Sequence, residues 1–398
     1  MVTIADRIAR LGTETAFAVS AEANAFAAQG NKVYPFHLGD LNLATPSTVV
    51  DGSWKALQDG KTGYCPNAGI PQLREALAAD VSASHNVDYG PENVVVQPGG
   101  KPTIGKFILA LMNPGDEVLY PNPGYPIYES QIEFNGGIAV PYGYVEGEDN
   151  FRLDFESIER AITPKTRLLV LNDLQNPTGA ECSLDEHERL AELIRKHDLY
   201  VLADEAYFDM RYKGASRSIV EQAGMAERTV ILYTFSKKFA MTGWRLGASI
   251  GPKPVIDVIG KINVNDESCS NHFIQYGAIA GLAGDQSEVK AILTTLQERR
   301  DALAEGLNSI AGFRTYVPDA MFYLFPNVTE AMANLGMHDY EEFRRAALHN
   351  TGVSFTTRLH FGRAGQGEPE KYIRFAYSGI GVDEINEGIA KLKAYVEG

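Results

Sequence analysis

Four short apolar runs in this chain each end in a residue that can do chemistry. After TVILYT come Thr234, Phe235, Ser236, Lys237 and Lys238, then FAMTGWRLG with Arg245. Lysines normally occupy solvated faces, so one just beyond a buried run and flanked by hydroxyls stands out. Its amine can turn into a ligand crevice and form a Schiff base with an aldehyde. Arg245, together with Thr234 and Ser236, would make a site for a dianionic phosphate. After YVLADE the order is Asp204, Glu205, Ala206, Tyr207. A carboxylate there can keep a pyridine nitrogen protonated, so that the ring acts as an electron sink. The Tyr207 phenol could bond that ring's phenolic oxygen. After RLLVLN comes Asn176-Pro177-Thr178-Gly179, a turn signal whose amide can donate to the same oxygen. After NVVVQ come Pro98, Gly99, Gly100 and Lys101, and glycines before a helix N-terminus let backbone N–H groups cradle a phosphate.

Each feature alone has a plainer reading. Two lysines in a surface loop, an N-capping aspartate, a turn and an ordinary strand-to-helix link would account for them singly. Together they answer an aldehyde, a pyridine nitrogen, a phenolic oxygen and a phosphate, the groups of pyridoxal 5'-phosphate (PLP).

The elements that must carry these residues alternate. The runs NVVVQ, EVLYP, RLLVLN, YVLADE, TVILYT and LGASIG read as buried strands between about 93 and 251. KPTIGKFILALM and LDEHERLAELIRKH have the three- and four-residue apolar spacing of helices. Alternating strand and helix predicts an α/β fold: a mostly parallel sheet flanked by helices, with its ligand outside the carboxyl ends of the strands. SEVKAILTTLQERRDALAEGLNSI reads as one long helix, followed by strand-like FRTYVP, MFYLFP and YIRFAYS. The expected organisation is an N-terminal arm (1–46) packing on the small domain, a large domain (47–285) and a smaller α+β domain (286–398). GRAGQGEPEK (362–371) is the expected flexible loop.

Composition narrows the class. A net charge of −15 with scattered basic residues argues against nucleic acid and anionic lipid as partners. No run is long and apolar enough for a membrane span, and the N-terminus lacks the pattern of a secretory signal. Cys65, Cys182 and Cys269 have no metal-ligand spacing, and no histidine falls at zinc-site spacing. We expect a cytoplasmic enzyme with reduced thiols and no metal.

In order along the chain, GYCPNAGIPQLREAL, VQPGGKP, PNPGYPIY, QNPTGA, DEAY, TFSKKFAMTGWRLG and YIRFAYS resemble the class I/II aminotransferases, of PLP fold type I. These segments lie within residues 34 to 378, nearly the whole chain, and SKKFAMTGWRLG is highly specific. The resemblance implies that Lys237 carries the cofactor as a Schiff base and shuttles a proton. Asp204 would pair with the ring nitrogen, and Asn176 and Tyr207 would hold the phenolic oxygen. Gly99, Gly100, Lys101, Thr234, Ser236 and Arg245 would bind the phosphate, and Tyr125 would stack on the ring. Tyr64 matches a tyrosine that reaches the phosphate from the neighbouring subunit, which implies a homodimer with shared active sites. Arg374 matches the arginine that grips the substrate α-carboxylate, with Gly39 and Asn176 nearby.

The chain departs from the family pattern in two places. Thr356-Thr357-Arg358-Leu359-His360-Phe361-Gly362 replaces a Pro-Gly before a Phe-Gly pair. Ala320-Met321 replaces Gly-Ala before Phe322-Tyr323. Arg358 or His360 could read an anionic group on the substrate side chain; a structural salt bridge is the alternative for Arg358. The expected activity is transfer of an amino group between an L-amino acid and a 2-oxo acid. The alternative is a PLP lyase or synthase on the same scaffold, with S-adenosylmethionine as one candidate substrate, because fold and cofactor do not fix the reaction. A regulatory protein of this fold would need an added DNA-binding domain, for which the segment before residue 34 has no room.

Overall fold

A computed structural model describes residues 2–365 and 368–398. Gln366 and Gly367, in the expected flexible loop, lie outside the described residues. Seven strands form the main sheet, in the order Val94–Gln97, Gly247–Ile250, Thr229–Thr234, Tyr200–Asp204, Thr166–Asn172, Glu117–Pro121 and Ile138–Tyr142. All neighbours run parallel except Gly247–Ile250, which is antiparallel to the strands on both sides. The uninterrupted apolar runs follow from this architecture: both sheet faces are covered, so the strand interiors are buried on each side. One core, with Leu119, Val201 and Ile231, lies on one face, and another, with Val118, Leu202 and Val230, on the opposite face.

Helices Lys101–Leu111 and Leu184–Lys196 form where their periodicity predicts. The second begins with a capping box, Ser183 accepting from the Glu186 N–H and Glu186 accepting from the Ser183 N–H. The long helix spans Ser287–Asn308. A third core joins it to the C-terminal elements and to Tyr34 and Phe36, with Leu296, Phe343, Phe375 and Leu392 at its centre. There Ile373–Ala376 pairs with Tyr323–Leu324 and Thr356–Thr357. FRTYVP is not a strand; it contributes only an isolated bridge between Arg314 and Asn327.

The first residues divide between the two ends of the molecule. Helix Ala16–Ala27 packs on Tyr340–Thr351, through the Glu22–Arg344 ion pair and the Phe26 and His349 rings. Before it the chain leaves that surface. The Gly12 N–H donates to Ser130 Oγ at 3.0 Å, on helix Ile127–Phe134 beside the main sheet. The arm therefore bridges two parts of the fold, where the sequence suggested contact with one.

Candidate active site

The carboxyl ends of five strands converge on one cavity of about 740 Å³. Each contributes from its last residue or the segment that follows it: Gly100 and Lys101, Tyr125, Asn172 and Asn176, Asp204 and Tyr207, and Thr234 with Ser236 and Lys237. The antiparallel strand supplies Arg245 from its amino end. Arg374 arrives from the C-terminal sheet and Gly39 from the segment after Tyr34–Pro35.

The paired lysines are consecutive in the single helical turn Phe235–Lys238 and point to different sides of it. Lys238 faces Asp209 at 3.1 Å and Asp80 at 3.8 Å, away from the cavity. Lys237 lines the cavity, and its Nζ donates to the Gly39 carbonyl at 3.0 Å. Burial lowers its pKa to about 8; Asp40 opposes the shift, while Arg374 and Arg245 reinforce it. An amine near neutrality in a closed site is a usable nucleophile and base.

Asp204 is buried at the end of its strand, which pushes its carboxyl up to about 6. Tyr128 donates to Oδ2 and the Ala206 N–H to Oδ1, and both oppose that rise. Asn172 donates to the Asp204 carbonyl at 2.9 Å, which anchors the backbone. Tyr207 is buried, with its hydroxyl 2.9 Å from that of Tyr323.

Arg374 is buried with no carboxylate partner among the described residues. It donates to Asn176 Oδ1 at 3.0 Å and to the His37 carbonyl at 2.9 Å, and its Nε has no partner. The Tyr323 and Phe361 rings sandwich the guanidinium at 4.3 and 4.6 Å. Burying an uncompensated cation costs several kcal/mol, so this arrangement is suited to an incoming anion. With Asn176 Oδ1 engaged, its amide N–H groups are left to donate elsewhere.

At the other end Thr234 caps the helical turn, accepting from the Ser236 N–H and donating to Ser236 Oγ at 2.9 Å. Arg245 is held by carbonyls of Thr242 and Pro98. Gly99 has φ +100°, and a Cβ there would lie 2.1 Å from Arg245 Nη2. Only glycine lets the backbone reach that guanidinium. Gly39 has the same need for space: a Cβ would overlap the Tyr323 hydroxyl at 2.0 Å. A hydroxyl pair, an arginine and the helix N-terminus at Gly100–Lys101 make a cradle that fits a phosphate. Asp204 fits a ring nitrogen and Lys237 an aldehyde, so these residues fit PLP.

Two expected positions, Arg358 and Tyr64, lie outside the cavity, and a third, His360, borders it. Arg358 does not reach the cavity: its Nη2 pairs with Glu368 at 2.6 Å, and its guanidinium also donates to the Gly362 and Arg363 carbonyls. The charge that suggested substrate reading is neutralised inside the C-terminal segment, which corrects the substrate-binding expectation for Arg358. His360 does border the cavity, with Nδ1 engaged by Thr357. Tyr64 is 90% exposed and lies outside the cavity of its own chain. Tyr128, Tyr323 and Glu14 also line the cavity; Tyr128 ends the PNPGYPIY segment and Tyr323 belongs to the Phe322-Tyr323 pair, but neither carries an expected role, and Glu14 has no motif around it.

Asp173, Cys182 and His187 also come together, although no spacing announced them. Asp173 is already engaged there by the Leu174 and Cys182 amides and by His187 at 2.8 Å.

The family model for aminotransferase class I and II matches residues 33–392. An aspartate aminotransferase of Bacillus subtilis is 30% identical, covering 99% of each chain. An asparagine–oxo-acid transaminase of Streptococcus mutans is 31% identical, covering 100% of each. The solved aspartate aminotransferase from Thermus thermophilus with maleate superimposes with a TM-score of 0.90 at 29% identity, over 99% of this chain and 100% of that one. A family match over this length agrees with the cavity built from its parts, and the chain belongs to the class I and II aminotransferases, a family that uses PLP.

Proposed function

We propose that the cavity transfers the amino group of an L-amino acid to a 2-oxo acid, with Lys237 as the residue that holds PLP and moves the proton. The observation that carries this reading is the pair of cations in the cavity, partly buried Lys237 and buried Arg374, neither of them bonded to a carboxylate. One waits for an aldehyde and the other for a carboxylate.

When bound, PLP supplies an electron sink for the charge left as a proton leaves the substrate Cα. Arg374 grips the α-carboxylate with its free Nε and neighbouring Nη, and its Asn176 and His37 contacts fix the plane of the fork. Lys237, with its lowered pKa, takes the Cα proton and returns it. Asp204, oriented by Tyr128, would hold a proton on the ring nitrogen. Asn176 and Tyr207 would donate to the phenolic oxygen, and Tyr125 would lie against the ring. Gly99, the backbone N–H groups of Gly100 and Lys101, Thr234, Ser236 and Arg245 would hold the phosphate. Gly39 stands beside Lys237, and His360 faces the substrate side.

The same reading includes a cytoplasmic homodimer and a division of the chain at about residues 46 and 286. Exposed Tyr64 and a Trp54 that is 60% exposed support an association surface. Sedimentation of the holoenzyme tests this, with a dimer expected.

A half-reaction screen tests the chemistry. Purified enzyme is mixed with single amino acids and with S-adenosylmethionine, without acceptor, and followed by absorbance and mass spectrometry. Stoichiometric 2-oxo acid is expected. An eliminated or cyclised product would instead make the enzyme a lyase or synthase.

A further inference from the structure

The strap that crosses the cavity carries a carboxylate into it. Glu14 lies between Gly12, fixed on Ser130, and helix Ala16–Ala27, fixed on Tyr340–Thr351. Its Oε1 accepts from the Tyr125 hydroxyl at 2.5 Å and from Lys101 Nζ. Its Oε2 has no donor among the described residues.

The charges around the cavity give this contact its meaning. Four cations line it: Lys101, Lys237, Arg245 and Arg374. On the reading above, three of them are engaged by the aldehyde, the phosphate and the α-carboxylate. Lys101 gives the phosphate cradle its backbone N–H, so its side-chain ammonium is the cation left for a charged substrate side chain, and Glu14 pairs with it. Phe17, Leu38 and Phe361 give the rest of the lining apolar surface, beside His360 and an Asp40 that accepts from Thr242.

We infer that Glu14 is a specificity-determining residue that turns the side-chain pocket against carboxylates and toward side chains that are uncharged or donate a hydrogen bond. A substrate carboxylate would have to displace Glu14 from the half-exposed Lys101 or lie beside a like charge, and like-charge juxtaposition discriminates between ligands. An amide or ammonium group could instead donate to the open Oε2. The inference rests on the aminotransferase reading for which cations are engaged and for where the substrate's side chain points.

The test compares two unreactive ligands that differ by one carboxylate, succinate and butyrate, titrated calorimetrically into the holoenzyme. The wild type should bind succinate no more tightly than butyrate. Glu14→Gln keeps the shape and removes the charge; it should tighten succinate by at least about ten-fold while butyrate moves by less than about two-fold. A wild type that already prefers succinate by about ten-fold would overturn the inference, and so would a variant whose succinate-to-butyrate ratio does not move. The wild-type comparison stands even where the variant does not fold. An alanine half-reaction on the same preparation reports the aminotransferase reading separately.

Discussion

Tyr128, on the helix after one strand, donates its hydroxyl to Asp204 at the end of another, in a site closed to solvent. The contact lowers a carboxyl pKa that burial has raised, and with the Ala206 N–H on the other oxygen it fixes the carboxylate's orientation.

That raised pKa predicts a pH signature in the cofactor-free protein. The Asp204 pKa is about 6 in the folded chain against an ordinary 3.8. Its contribution to stability is therefore full below pH 4 and lost as pH rises through 6. Asp204→Asn removes the titration. Between pH 4 and 7 the cofactor-free variant should gain up to about 3 kcal/mol relative to wild type, read from urea unfolding at each pH.

The adjacent lysines should behave oppositely. Lys237→Ala should cut turnover by at least about a thousand-fold, because it removes the base and the attachment point together. Uptake of PLP by equilibrium dialysis should persist, since the phosphate cradle is intact. Lys238→Ala breaks ion pairs with Asp209 and Asp80 outside the cavity, so turnover should stay within about three-fold.

Arg374→Lys keeps the charge and loses the fork. A point charge cannot reproduce a two-donor grip, and the Asn176 contact is lost with it. We expect kcat/KM to fall by roughly a hundred-fold or more for every amino-acid substrate alike. Steady-state kinetics on two unlike donors checks that uniformity.

Arg358→Ala should leave substrate preference unchanged. It breaks the pair with Glu368, and the cost should appear as about 2 kcal/mol of stability, reduced from the fully buried case because Glu368 is partly exposed. Thermal unfolding with a donor screen separates the two outcomes. A changed donor preference would return Arg358 to the substrate pocket.

The region from Asn93 to Gly251 was readable because its strands are buried on both faces and announce themselves as unbroken apolar runs. Turn and motif residues end or follow them directly, which put Lys237, Asp204, Asn176 and Arg245 near strand ends, while their expected roles came from the family resemblance. Tyr128 and Tyr323 were not legible, since a buried tyrosine beside a cavity looks the same in sequence as one in a core. Glu14 was invisible for another reason: its place depends on the arm leaving one surface for another, and no local pattern encodes that. FRTYVP shows the converse failure. Its β-prone residues meet only Asn327 as a partner, and propensity without a neighbouring edge yields a bridge. Arg358 was ambiguous until Glu368 was found beside it.

The reversed strand Gly247–Ile250 has a consequence for how the site keeps its dimensions. Because it pairs antiparallel with Thr229–Thr234, Gly247 stands opposite Thr234. Residues 235–246 therefore leave and re-enter the sheet at one rim, carrying Lys237 on the way out and Arg245 on the way back. The span between amine and guanidinium is gauged by this single loop, independently of any shift of the C-terminal elements. Lengthening the loop by one residue would put the two ends of the cofactor site out of register. The same insertion between residues 362 and 371 would leave that gauge untouched.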